Sequence, residues 1–184
     1  MPVAPFCETP RWLEAAALQP EPSSQLADWL FDQGSLTRRL TALSNGAFSI
    51  TPLLQGWQTL RDDECLALAV PLASVGWVRE VYLRGHEEPW VFARSVAARR
   101  DLSESQFDLE SLGSRSLGEL LFSDSAFTRG ALQAARCPGE WLPAAVREDG
   151  LWARRSCFRR AALGVLVVEV FLPAFWSRAA PPGL

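Results

Sequence analysis

The sequence predicts an α+β domain built on a mainly antiparallel β-sheet, with helices inserted between its hairpins. Two pairs of apolar runs are each joined by a few turn-forming residues: Gly76 to Arg84 with Pro89 to Ala97, and Leu151 to Arg160 with Leu163 to Leu172. Connections this short make antiparallel hairpins, because a parallel pair needs a crossover of a dozen or more residues. Helical segments precede and separate the hairpins instead of alternating with single strands, which argues against a βαβ order. The chain has 184 residues, 48% of them hydrophobic, enough to bury one core without cross-links. A single domain over residues 1–184 is expected.

Taken in order, residues 1–23 read as an irregular lead-in, rich in Pro and Ser, that docks Trp12 and Leu13 on the core. Leu26, Trp29 and Leu30 recur at helical spacing between Ser24 and Phe31, with Gly34 placed to end the helix, and Ser35 can cap a second helix carrying Leu36, Leu40 and Leu43. Phe48 to Leu54 reads as a strand weakened by Pro52. The first hairpin turns at Gly85-His86-Glu87-Glu88 and the second near Ala161-Ala162. Between them, Ser103 to Leu112 and Leu117 to Phe122 read as helices capped by Ser103 and Ser116, and residues 177–184 read as a flexible tail.

Composition excludes several classes of function. A net charge of −3 and the lack of any basic block give no footprint for nucleic acid or an anionic membrane. The most apolar stretch, Ala161 to Trp176, is shorter than the ~20 residues of a membrane helix and is broken by Glu169 and Pro173. The N-terminal MPVAPFCETPRW lacks a secretion-signal pattern, so a cytoplasmic protein is expected. The four cysteines, Cys7, Cys65, Cys137 and Cys157, are scattered and read as reduced packing residues. All 18 basic residues are Arg, and the one His, His86, sits in a turn and reads as solvated. Schiff-base chemistry, a P-loop and the common metal sites therefore lack their residues. The spacing from Gly113 to Gly118 superficially matches a phosphate loop, but Glu119-Leu120 stands where Lys-Ser/Thr is needed. A monomer that binds a small molecule without a metal or other cofactor is expected.

Three charges stand out because residues two apart share a strand face. Arg79 lies with Trp77, Val81 and Leu83; Arg94 with Trp90, Phe92 and Val96; Glu169 with Val165, Val167 and Phe171. A buried ion must be paired or meet a polar ligand. Two readings stay open: an internal salt bridge of Glu169 with Arg79 or Arg94, or a binding pocket. Arg154-Arg155 and Arg159-Arg160, which charge both faces of one strand, read as a partly solvated edge.

In the order DWLFDQGSLTRRL, GWVREVYLRGHEEPWVFARSV, the LG-x-x-x-LG-x-x-LF pattern of Leu112 to Phe122, FTR at Phe127 to Arg129, LWARRS at Leu151 to Ser156, and VVEVFLPAF, the chain resembles the chorismate pyruvate-lyase family from about the first helix to Phe175. The resemblance implies a cofactor-free carbon-oxygen lyase that splits chorismate into 4-hydroxybenzoate and pyruvate, an early step towards ubiquinone. It implies flaps closing over the ligand and inhibition by tightly held product. It also implies Arg79 on the ring carboxylate, Glu169 near the ring hydroxyl, Leu117 contributing main chain, and Leu36 as an apolar flap wall. Methionine often stands at that last position in the family; Leu36 keeps its bulk without the adaptability of a thioether. Arg94 is the further candidate, for the second carboxylate. The alternative is a noncatalytic effector-binding domain of the kind found in bacterial transcription regulators, since fold alone does not establish activity.

Overall fold

The computed structural model describes residues 9–179. Within them, strands β1 (Phe48–Thr59), β2 (Val75–Gly85), β3 (Glu88–Ala98), β4 (Thr128–Arg129), β5 (Gln133–Cys137), β6 (Leu151–Arg160) and β7 (Leu163–Phe171) form one sheet in the order β1-β2-β3-β7-β6-β4, with β5 also paired to β6. Every pairing is antiparallel. The helices are α1 (Ser24–Leu30), α2 (Leu36–Leu43), α3 (Asp62–Leu68), α4 (Arg99–Glu104), α5 (Leu117–Ser123) and α6 (Pro173–Ala179). No helix among the described residues is long and apolar enough to cross a membrane.

Both expected hairpins form, β2–β3 and β6–β7, and the pairing of β3 with β7 joins them into one sheet. His86 and Glu87 make the first turn with φ of 50° and 67°. That left-handed geometry suits a two-residue hairpin loop because it matches the twist of the strands it joins. The glycine before it is fixed by packing, since a Cβ on Gly85 would overlap the Trp90 ring.

Each face of the sheet is covered. On one, Val78, Tyr82, Phe92, Val96, Leu166 and Val168 pack with Cys65 and Leu68 of α3 and with Leu142. On the other, the apolar core divides in two. Val81, Leu83, Val91 and Phe171 gather Trp29, Leu30, Leu36, Leu40 and Phe175 from α1, α2 and α6. Ala97, Phe158 and Val165 gather Leu102, Leu109, Leu112, Leu117 and Leu121 from α4, α5 and the segment between them. Burial on both faces is why β7 reads as an unbroken apolar run, with Glu169 as its one charge.

Several boundaries differ from expectation for local reasons. β1 does not stop near Leu54: Pro52 coincides with a register shift, and the strand continues to Thr59. As an edge strand it tolerates a residue without an N–H. The first helix ends at Leu30, so Gly34 lies in the loop before α2. No helix spans Ser103 to Leu112; α4 stops at Glu104, and the Ser103 hydroxyl donates to the Arg100 carbonyl within it. Beyond it, Asp108 accepts the Ser111 N–H, a side-chain bond of the kind that competes with helix formation. Helices α3 and α6 were not expected, and α6 carries order to Ala179, into the stretch read as a tail. The lead-in does dock: Trp12 Nε1 donates to Asp63 at 3.1 Å, and Leu13 bridges to Ala134. His86 is exposed as expected. Cys65, Cys137 and Cys157 are free thiols, and Cys7 lies outside the described residues.

Candidate active site

Between the two apolar clusters runs a polar band, and strand register alone assembles it. Arg79 of β2 stands opposite Ser95 of β3, which stands opposite Val167 of β7, which stands opposite Ser156 of β6. In the neighbouring row Val81, Ala93, Glu169 and Arg154 follow in the same strand order. Directly opposed residues in an antiparallel pair share a face. All eight therefore look the same way, towards the α1–α2 and α5 side.

Two loops, each ending at a helix start, cover this band, and arginines from the sheet hold both by their carbonyl oxygens. The first flap runs from Phe31 to Leu36. Arg154 Nη1 donates to Asp32 O within it at 3.3 Å and to Trp29 O in the last turn of α1 at 3.0 Å, and Arg129 Nη1 donates to Gln33 O at 3.1 Å. The second runs from Ser105 to Leu117, and Arg79 Nη2 donates to Gly113 O at 3.0 Å and Arg115 O at 2.9 Å. Ser35 and Ser116 cap α2 and α5 by accepting from Arg38 N and Glu119 N. That places Leu36 and Leu117 as the first helical residues, both buried. The flaps meet where the Thr37 and Ser116 hydroxyls lie 3.0 Å apart. A groove of about 750 Å³ abuts this meeting point, lined by Thr37, Ile50, Ser116, Glu119 and Phe122 among others.

The charges in the band are unequally satisfied. Glu169 accepts from Arg154 Nε at 2.6 Å, which neutralises both in place. Arg79 is 3% exposed, and among the described residues no carboxylate lies within ion-pairing distance of it. Its Nε–H is buried with no acceptor among the described residues. Burial lowers its pKa from the usual arginine value, the sign of a cation short of compensation.

The chorismate lyase family matches residues 7–181. The chain belongs to that family. It is 66% identical over 168 residues to the probable chorismate pyruvate-lyase of Pseudomonas aeruginosa strain UCBPP-PA14, covering 91% of this chain and 94% of that one. It is 60% identical over 177 residues to the probable chorismate pyruvate-lyase of Pseudomonas fluorescens strain Pf-5, covering 96% and 93%. Among solved structures, the effector domain of PhnF from Mycobacterium smegmatis superposes with a TM-score of 0.51 at 14% identity, covering 77% of this chain and 90% of that one. The possible transcriptional regulator YydK from Bacillus subtilis does so with 0.51 at 9% identity, covering 72% and 60%. These two likenesses are of fold.

Of the residues that resemblance to the family pointed to, Arg79 and Glu169 lie in the band, with Leu36 and Leu117 heading the helices beside it. Arg94 does not join them. The register sets it opposite Glu80, on the other face, where its Nε donates to Glu64 at 2.6 Å, its Nη2 to Glu64 at 3.1 Å and its Nη1 to Glu80 at 2.8 Å. Burial opposes its charge, but these two carboxylates outweigh burial and raise its pKa. The expectation that it takes a second carboxylate is corrected accordingly. Alternation within each strand marked both arginines as inward; it could not say that the two strands' inward residues face opposite ways. Neither salt bridge left open for Glu169 forms: Arg94 is on the opposite face, Arg79 is two strands away on the same face, and Glu169 pairs with Arg154, its register neighbour on β6.

Arg154 was read as part of a solvated edge and is instead 1% exposed, because β6 is flanked by β7 on one side and by β4 and β5 on the other. The signal that could have found it is its alternation with Trp152, Ser156 and Phe158. Arg129 and Ser156 sat inside the matched FTR and LWARRS stretches without being singled out.

Proposed function

We propose that this chain is a chorismate pyruvate-lyase, converting chorismate to 4-hydroxybenzoate and pyruvate and thereby feeding ubiquinone synthesis. The observation that carries the reading is that Arg79, buried and with no carboxylate in ion-pairing distance among the described residues, shares a covered sheet face with Glu169 two strands away, in a chain of the chorismate lyase family. Two strand spacings and a two-residue step along the strand set their backbones about 12 Å apart, a span that side chains of this length can close onto the carboxylate and hydroxyl at opposite ends of one six-membered ring.

In the reaction the ether bond between ring and enolpyruvyl group breaks, and the hydrogen on the carbinol carbon moves to the enolpyruvyl methylene. The ring becomes aromatic and pyruvate leaves. A six-membered transition state can pass that hydrogen within the substrate, so the protein's part is to hold one conformer and stabilise charge on the departing oxygen. Arg79 suits the ring carboxylate because it brings a buried cation whose Nε–H has no acceptor among the described residues; its Nη2 is already given to Gly113 O and Arg115 O, so the charge and the Nε–H are what it offers the ligand. Glu169, held by Arg154, accepts the ring hydroxyl and orients it. Leu117 offers a main-chain N–H from the first turn of α5, where no intrahelical acceptor exists, and Leu36 walls the opposite flap.

The enclosure predicts tight product binding, since carboxylate and hydroxyl survive in 4-hydroxybenzoate, and release limited by flap opening. The regulator-like reading rests on a shared fold at 14% identity or less and is not favoured against relatives at 60–66%. Purified protein, dialysed exhaustively after chelation, is expected to convert chorismate to equal amounts of 4-hydroxybenzoate and pyruvate. Another product, or activity that a divalent ion alone restores, would contradict the reading.

A further inference from the structure

We infer that Arg129 binds the second carboxylate of the substrate, the one on the enolpyruvyl group; the inference rests on the site reading above. Chorismate is a dianion, and a covered site that accepts it needs two cations not already neutralised by the protein. Arg154 fails that condition because Glu169 holds it at 2.6 Å, and Arg94 fails it because Glu64 and Glu80 hold it on the other face. Arg129 meets it. Among the described residues no carboxylate lies within ion-pairing distance of Arg129, and its side chain donates to neutral acceptors, with Nε to Ser156 Oγ at 2.8 Å and Nη1 to Gln33 O and Gly34 O. Burial and the neighbouring Arg154 draw its pKa down to about 10, against smaller opposing pulls from Glu169 and Asp32, so an anion placed beside it is favoured.

Position agrees with charge. The row Arg79, Ser95, Val167, Ser156 crosses four strands, about 14 Å at strand spacing, with Arg79 at one end and Arg129, bonded to Ser156, at the other. Between them, Val167 and Glu169 are the two residues of β7 that keep partial exposure, although the strand is central and covered on both faces. The ligand's own geometry gives the direction. The ring carboxylate and the hydroxyl lie at opposite ends of the ring, and the enolpyruvyl ether is attached beside the hydroxyl. With the first carboxylate on Arg79 and the hydroxyl at Glu169, the enolpyruvyl group leaves the ring beside Glu169, on the half of the ring away from Arg79, so its carboxylate can turn towards the Arg154–Arg129 end.

The test separates substrate from product, because 4-hydroxybenzoate has lost the second carboxylate. In Arg129→Gln the KM for chorismate should rise at least tenfold while the Kd for 4-hydroxybenzoate stays within about twofold of the parent. Arg129→Lys keeps the charge and should show a smaller rise with the same selectivity, and it serves as the decisive variant if Arg129→Gln does not fold. An unchanged KM, or equal weakening of substrate and product, overturns the inference; the latter would mean that Arg129 only holds the flap at Gln33 and Gly34. Arg79→Ala, run in parallel, should weaken both ligands. If it weakens neither, the site reading itself fails, independently of Arg129.

Discussion

Glu169 and Arg94 show how two buried charges of similar sequence appearance serve different ends. Glu169 is held from one side by Arg154 and keeps some exposure, so it can accept a further donor. Glu169→Gln keeps the size and much of the hydrogen-bonding capacity. If the residue orients the hydroxyl, as argued, turnover should stay within about tenfold of the parent; a loss of 10² or more in kcat would instead identify it as the base. Arg94 lies in a closed cluster with Glu64 and Glu80. Arg94→Met should cost about 3–5 kcal/mol in urea unfolding, because it strands a buried carboxylate. A loss under about 1 kcal/mol would show that the cluster is solvated. That both arginines face apolar surroundings was legible from alternation. Which face each joined was not, because register is a relation between strands set by the turn at His86 and Glu87.

The flaps belong to the scale of elements. Their caps, Ser35 and Ser116, were legible because a hydroxyl ahead of an apolar helical run satisfies the orphan N–H groups of the first turn. The covering loops were not: Ser105 to Ser116 carries leucines at helical spacing, yet folds as turns whose Leu109 and Leu112 reach the core and whose carbonyls meet Arg79. A long-range donor that fixes a loop's shape leaves no periodic trace. The Thr37–Ser116 contact is the one side-chain hydrogen bond between α2 and the cap of α5. Thr37→Val removes it while leaving the Ser116 cap intact. We expect 4-hydroxybenzoate to dissociate several-fold faster in stopped-flow measurements, with stability lowered by only about 1 kcal/mol. An unchanged dissociation rate would show that flap contact does not gate release.

At the scale of the molecule, the hairpins and the α+β class followed from short connections and apolar runs, while the joining of the hairpins through β3 and β7 did not, since the two strands lie far apart in the chain. That pairing builds the site: it sets Ala93 against Glu169 and so brings the first hairpin's Arg79 to the second hairpin's Glu169 and Arg154. A ligand bridging both halves should stabilise the whole fold. At a hundred times its Kd, 4-hydroxybenzoate should add about 2.7 kcal/mol to unfolding, and Arg79→Ala should remove most of that gain at the same ligand concentration; equal gains in parent and variant would place the ligand elsewhere. The most direct measurement is a crystal structure of the protein with 4-hydroxybenzoate. The account predicts the ligand under both flaps, its carboxylate on Arg79 and its hydroxyl within hydrogen-bonding distance of Glu169. Ligand found instead in the outer groove beside Thr37 and Ser116, with Arg79 untouched, would contradict it.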